Sequence, residues 1–166
     1  KSNGVEVIKG KAQLISPQSI EVIDEKQQKL TFQARKIIIA TGSVSAALPV
    51  PGAKLPGVID STGALQLTQV PESMVIIGAG AVGLEFGTIY AALGAKVVVL
   101  EMLPQILPSE DPEIASALDK TLRRFKIQTF TNCRVKEILE ESGGKRKVVA
   151  VAGEEEKTFE AQYVLV

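Results

Sequence analysis

One stretch constrains this chain more than any other: Met74-Val75-Ile76-Ile77-Gly78-Ala79-Gly80-Ala81-Val82-Gly83-Leu84-Glu85-Phe86-Gly87. Four apolar residues in a row read as a strand buried on both faces. The glycines that follow make a tight turn, and Ala81 onward reads as a helix, ended by Gly94 in the left-handed position that closes helices. A second apolar run, Lys96-Val97-Val98-Val99-Leu100, leads directly to an acid, Glu101. Strand, GxGxxG turn, helix, strand and acid about 20 residues on form the dinucleotide-binding fingerprint, which calls for an α/β, Rossmann-like unit.

Each part of this pattern has a chemical reason. A pyrophosphate needs donors that can come close, and backbone N–H groups at a helix N-terminus supply them with the favourable end of the helix dipole behind them. Gly78 turns strand into helix, Gly80 leaves the backbone open to the phosphates, and Gly83 lets the helix lie on the sheet. With Ala79, Ala81 and Val82 these residues form the expected cofactor-binding turn. The Glu101 carboxylate can accept from both ribose hydroxyls of NAD and would repel the 2′-phosphate of NADP; Met102 and Leu103 after it offer no arginine, so NAD is expected. The plainer role for Glu101 is an acid capping a strand end. Glu85 either faces the nicotinamide end of the ligand or complements the helix dipole.

Composition narrows the chemistry further. Nineteen acids balance nineteen bases among 166 residues, so no net field favours nucleic acid or an anionic membrane. No apolar run reaches the ~20 residues of a membrane-spanning helix, and the N-terminus has no signal-peptide pattern; a cytoplasmic location is expected. The chain has no histidine, which removes His-dependent triads and His-based zinc sites. Its one cysteine, Cys133, rules out an internal disulfide or dithiol couple and reads as a small buried residue. The chain begins on Lys1 and stops inside the apolar run ending at Val166, so an excised piece of a longer protein is expected.

Around the central unit, residues 4–33 alternate apolar and polar positions between turn-rich segments, which predicts a meander of short antiparallel strands. Lys36 to Gly42 carries Ile37, Ile38 and Ile39 and predicts a strand buried on both faces. Residues 43–72, with Pro49, Pro51 and Pro56, read as linker and lead-in, with a short helical turn at Ser61 to Leu65. The helix from Ala81 to Leu93 is expected to bury Val82, Phe86, Ile89 and Leu93. A second helix, capped by Asp111 and Pro112, is expected to bury Ile114, Leu118, Leu122 and Phe125. Strands follow at 127–130, 134–139, 147–152, 157–159 and 162–166. The expected organisation is a β meander and strand (1–42), a linker (43–72), and a βαβαβ unit with β hairpins (73–166).

Taken together, these residues resemble the FAD-dependent pyridine nucleotide–disulfide oxidoreductases, most closely their lipoamide dehydrogenase branch. Ile39-Ala40-Thr41-Gly42-Ser43 is similar to the ATG segment that closes the family's FAD domain. Ser61 to Leu65 with Val70-Pro71 is similar to the lead-in, Gly78 to Gly87 to the glycine motif with its glutamate at Glu85, and Ala161 to Val166 to the strand entering a second FAD-contacting motif. The resemblance implies that Thr41 and Gly42 touch flavin in a full-length protein, that residues 1–42 are part of an FAD domain, and that Val135 lies near the adenine.

It also implies a reaction in which electrons pass from a lipoyl-type disulfide substrate in its dithiol form, through a cysteine pair and FAD, to NAD, in a protein that is a homodimer. The family's CxxxxC pair, its first glycine motif and its His–Glu pair are not among these residues. A parent oxidoreductase is therefore expected, with this polypeptide a non-catalytic NAD-binding module carrying no catalytic or metal-binding residue. The alternatives are the NAD domain of an NADH oxidase, a mercuric reductase or a ferredoxin reductase, or a scaffold piece.

Overall fold

The computed structural model describes residues 3–166, and the chain divides into two units, Lys1–Val44 and Ser45–Val166. In the first, β1 (Lys11–Ser16), β2 (Ser19–Ile23) and β3 (Lys29–Gln33) form an antiparallel sheet in the order β1-β2-β3. This is the predicted meander, shorter than expected at its start: Val5, Val7 and Ile8 lie in no strand and are exposed. The Ile37–Ile39 run departs further from expectation. Residues 36–42 form no strand, and Ile38 is 90% exposed. A strand buried on both faces needs hydrogen-bonding neighbours and two covering layers, and no described strand pairs with this one. Among the described residues of this unit, only Ser19 and Val22 are buried.

The second unit contains β4 (Val58–Ile59), α1 (Ser61–Leu65), β5 (Ser73–Ile77), α2 (Ala81–Ala92), β6 (Lys96–Leu100), α3 (Pro112–Arg124), β7 (Gln128–Phe130), β8 (Cys133–Glu140), β9 (Arg146–Ala152), β10 (Glu155–Ala161) and β11 (Tyr163–Leu165). Its main sheet is fully parallel, in the order β4-β11-β5-β6-β7. The chain leaves β5 for β6 and β7 on one side, while β11 and β4 lie on the other. That divergence makes the carboxyl ends of the central strands the place where ligands bind in open α/β sheets. The stretch read as linker supplies β4 and α1 to this layer.

Alternate residues of the parallel strands serve two cores, as the two-residue period of a strand requires. Met74, Ile76, Val97 and Val99 pack with Leu84, Phe86, Tyr90, Ala115 and Leu122 of the helices. Val75, Leu100 and Val164 face the other way, onto Val135, Ile138, Val148 and Ala150 of the antiparallel sheet β10-β9-β8. Both faces are thus covered, as a parallel sheet demands. Full burial of each large side chain, such as Met74 or Ile76, contributes about 1.5–3 kcal/mol.

Both long helices match the predicted face only in part: Phe86 of α2 and Leu122 of α3 are buried and Leu118 is partly covered, as expected, but the rest of each face is shifted. In α2 the residues buried are Leu84, Phe86, Gly87 and Tyr90, whereas Val82, Ile89 and Leu93 are at least half exposed. The helix is apolar nearly all round, so hydrophobic spacing could not choose its face. Glycine chose it. A Cβ on Gly87 would lie 3.3 Å from Ile76 Cδ1 and 3.6 Å from Val97 Cγ1, and one on Gly83 would collide with the Gly78 carbonyl oxygen. The glycine edge is therefore the surface laid against the sheet. In α3 the buried residues are Ala115 and Leu122 with Leu118 partly covered, while Ile114 and Phe125 are exposed.

The ends of the helices follow their sequence. Asp111 accepts from the Glu113 N–H at 2.8 Å with Pro112 at the first helical position. Gly94 has φ +103° just beyond α2, the left-handed conformation that glycine adopts without strain. No helix among the described residues is long and apolar enough to cross a membrane.

Candidate nucleotide-binding site

The glycine turn leaves β5 and enters α2 at the carboxyl edge of the parallel sheet. Gly78, at φ +105°, still makes the sheet bond from its N–H to the Leu100 carbonyl oxygen at 2.8 Å. Ala79 is buried and held at both ends of its backbone. Its N–H donates to Glu101 Oε2 at 2.8 Å, and its carbonyl accepts from the Leu107 N–H at 2.8 Å. Glu101 Oε1 also accepts, from the Leu103 N–H at 2.9 Å. This carboxylate, only 7% exposed, thus fastens the turn to the loop after β6.

With Ala79 committed, the donors left for an anion are those of the first turn of α2. The N–H groups of Ala81, Val82 and Gly83 sit where a helix has no internal acceptor. The N-cap is Gly80, which has no side chain to satisfy them. Gly80 adopts φ −72° and ψ 176°, a conformation open to any residue, and a Cβ there would meet nothing within 4 Å. Neither backbone nor packing asks for glycine at this position. What glycine leaves is an open cradle against the helix N-terminus, the shape and the donor set that a pyrophosphate requires.

Beside the turn lies a cavity of about 370 Å³ whose walls include Ile77, Gly78, Leu100, Glu101, Met102 and Val135. Leu48, Pro49, Val50, Cys133 and Arg134 also line it. The Pro49 region is fixed there by Gly52, at φ +81°, whose missing Cβ makes room for the Ile138 carbonyl, and by the Ile138 N–H donating to the Pro51 oxygen at 2.9 Å. Arg146, 5% exposed, secures the same segment through its Nε–H bond to the Pro56 carbonyl. The start of β8 is tied to the end of β6 by the Cys133 N–H to the Glu101 carbonyl at 2.8 Å. Burial pushes the Cys133 thiol up from its ordinary pKa, with Lys157 pulling weakly the other way. The thiol therefore stays protonated and unreactive.

The structure brings Gly78, Ala79, Gly80, Ala81, Val82, Gly83, Glu101 and Val135 to one edge of the sheet. Glu85 is placed apart. It is exposed and borders a separate, mostly apolar cavity of about 520 Å³ between α2 and α3, with Leu84, Thr88, Leu107 and Leu118. Thr41 and Gly42 belong to the other unit, on an exposed segment outside any strand. No strand-to-helix glycine turn occurs among the described residues of that unit.

Sequence reasoning missed Leu48, Pro49 and Val50, which lie in a stretch read as linker. It also missed Arg134, which follows β7 rather than β6. The only signal for either was adjacency: Arg134 precedes Val135, and apolar residues break the proline-rich run.

Comparison with known proteins agrees with this geometry. The family described as "Pyridine nucleotide-disulphide oxidoreductase" matches residues 1–166. A dihydrolipoyl dehydrogenase of Geobacillus stearothermophilus is 38% identical over all of this chain and 35% of its own length, and one from Arabidopsis thaliana mitochondria is 34% identical. The chain therefore spans about a third of the length of the curated relatives it matches. Among solved structures, a Cu(II) complex of a cysteine-to-serine variant of the HOCl-induced flavoprotein disulfide reductase RclA from Escherichia coli superposes with TM-score 0.78 at 32% identity, covering 96% of this chain and 35% of that one. The ferredoxin reductase of the CYP199A2 system from Rhodopseudomonas palustris superposes with TM-score 0.80 at 26% identity, covering 99% and 41%. A parallel sheet with a glycine turn at its switch point, covered on one face by helices and on the other by an antiparallel sheet, together with a match along the whole chain, makes this protein a member of the pyridine nucleotide-disulphide oxidoreductase family.

Proposed function

We propose that residues 45–166 are the NAD(H)-binding portion of a flavoprotein disulfide oxidoreductase. The parent reaction is the transfer of two electrons from dihydrolipoamide to NAD, giving lipoamide and NADH plus a proton, by way of a redox dithiol and FAD. The observation that carries the dinucleotide assignment is Gly80: a glycine that the fold does not need, in open space before an uncapped helix N-terminus; the preference for NAD over NADP rests on Glu101. When bound, NAD supplies the nicotinamide that takes up or gives up a hydride. The Ala81 and Val82 N–H groups hold its pyrophosphate, Glu101 accepts from the adenosine ribose with the lone pairs that its two backbone bonds leave free, and Val135 lies against the adenine. Glu85, one turn into α2, borders a different cavity from the one beside the glycine turn, and its carboxylate either reaches the nicotinamide end of the ligand or complements the helix dipole. Thr41 and Gly42 contribute to an FAD site only with chain that these 166 residues do not include.

With one cysteine and no histidine, these residues hold no cysteine pair and no imidazole acid–base group. We therefore assign binding and orientation to this chain, and the electron-transfer chemistry to the rest of a protein like its dihydrolipoyl dehydrogenase relatives. Titration with NADH, followed by nicotinamide fluorescence and by calorimetry, tests the reading. Saturable binding that is tighter for NADH than for NADPH is expected. Absence of saturable binding up to millimolar NADH would overturn it.

A further inference from the structure

The residues that follow β6 contain no arginine, yet the fold supplies one from elsewhere. Arg134, near the start of β8, lines the same cavity as Glu101 and Met102, and the Cys133 backbone beside it is bonded to Glu101. The two charged groups stand differently. Glu101 is buried, with one carboxylate oxygen committed to each of two backbone N–H groups. Arg134 is exposed and makes no ion pair among the described residues, unlike its neighbour Lys136, which is bound to Glu156 at 2.9 Å.

From this juxtaposition we infer that Arg134 is a second determinant of cofactor specificity, opposing Glu101. The inference rests on the dinucleotide site proposed above. A ribose with two neutral hydroxyls suits Glu101. A 2′-phosphate adds about 1.5–2 negative charges, which Glu101 repels and Arg134 attracts. The buried carboxylate is screened less than the exposed guanidinium, so repulsion prevails and the chain favours NAD. Arg134 nevertheless softens the discrimination, because its free fork of donors is suited to a phosphate. A chain with a neutral residue at position 134 would reject NADPH more strongly.

The test is a set of parallel NADH and NADPH titrations of the chain and of Arg134→Ala and Arg134→Lys, at low and high salt. Arg134 is exposed and unpaired, so both variants are expected to fold. In Arg134→Ala the ratio of the NADPH to the NADH dissociation constant should rise about fivefold, the upper end of an exposed charge pair's worth. The rise should come from NADPH, be largely absent in Arg134→Lys, and shrink in about 1 M salt, where the screening length is about 3 Å. An unchanged ratio, equal weakening of both nucleotides, or no NADPH binding by the unaltered chain at millimolar concentration would overturn the inference. If the unaltered chain binds NADH and the ratio does not move, only the role of Arg134 falls. If it binds neither nucleotide, the site assignment falls with it.

Discussion

Glu101 Oε2 accepts a hydrogen bond from the Ala79 N–H at 2.8 Å, across 22 residues of sequence. The acid at the end of β6 and the middle of the glycine turn are thereby one structural unit before any ligand arrives. Replacing Glu101 by Ala leaves two backbone donors, of Ala79 and Leu103, without their acceptor. The buried Ala79 donor, left unsatisfied, costs about 1–3 kcal/mol, and the donor of exposed Leu103 costs less. Glu101→Ala should therefore lower the urea midpoint as well as weaken NADH, and Glu101→Gln, which keeps one acceptor, should fall between. If Glu101→Ala weakened NADH without changing stability, the fastening role would be wrong.

Two glycines of the same turn should respond in opposite ways to alanine. At Gly80 the added methyl enters open space in an ordinary backbone conformation, so stability should change by less than about 0.5 kcal/mol. NADH affinity should fall at least about tenfold, since the methyl occupies the pyrophosphate's place. At Gly83 the methyl meets the Gly78 carbonyl oxygen. Overpacking of about 1–3 kcal/mol there outweighs the helix-propensity gain of about 1 kcal/mol. Thermal unfolding and NADH titration of the two variants separate a glycine kept for the ligand from one kept for the fold.

Gly52 controls the cleft from a distance. Alanine there combines φ +81° with a Cβ driven into the Ile138 carbonyl. Left-handed strain of about 1–2 kcal/mol adds to the overlap, so the loss should be at least about 2 kcal/mol. The detachment should be local, displacing Leu48 to Val50 from the cavity wall. Faster amide exchange at Ile138, whose N–H is bound to Pro51, would report it.

The pH dependence has a defined sign at both ends. Burial raises the Cys133 thiol and the Tyr90 phenol above their ordinary values of 9.0 and 10.0. Below those values both groups are protonated folded or unfolded, and their contribution is complete. It is lost as pH rises towards the higher folded values, because the unfolded chain then releases protons that the folded one retains. Asp60 behaves inversely. The Gly63 N–H and then the Ser45 hydroxyl hold its pKa below 3.8, so its stabilisation is present above that value and lost as pH falls through the folded one. Denaturation midpoints against pH should therefore decline at alkaline pH, and Cys133→Ala should flatten that decline.

Local order was enough to read the core of this protein from its residues. The strand before Gly78, the left-handed Gly94, the Asp111 cap and the acid at Glu101 each follow from short-range sterics or periodicity. All of them hold in the structure. The face of α2 was not legible, because Val82, Leu84, Phe86, Ile89 and Leu93 make the helix apolar nearly all round. Its orientation comes from where backbone can approach backbone, at Gly83 and Gly87. The isoleucine run at 37–39 shows the reverse limit: a strong strand pattern forms no strand, and leaves Ile38 and Ile39 exposed, when no neighbour pairs with it.

By itself, then, the sequence determined a glycine turn between a buried strand and a helix, with an acid one strand later. Only the tertiary structure decided that this acid spends both oxygens on the backbone, that Ala79 is consequently closed to a ligand while Ala81 and Val82 remain open, and that Arg134 and Val50 join the cleft. Those facts depend on contacts between residues tens of positions apart, made where β6, β8 and the Pro49 segment converge. Hydrophobic spacing carries no information about such contacts, because it records which residues leave water and not which of them meet.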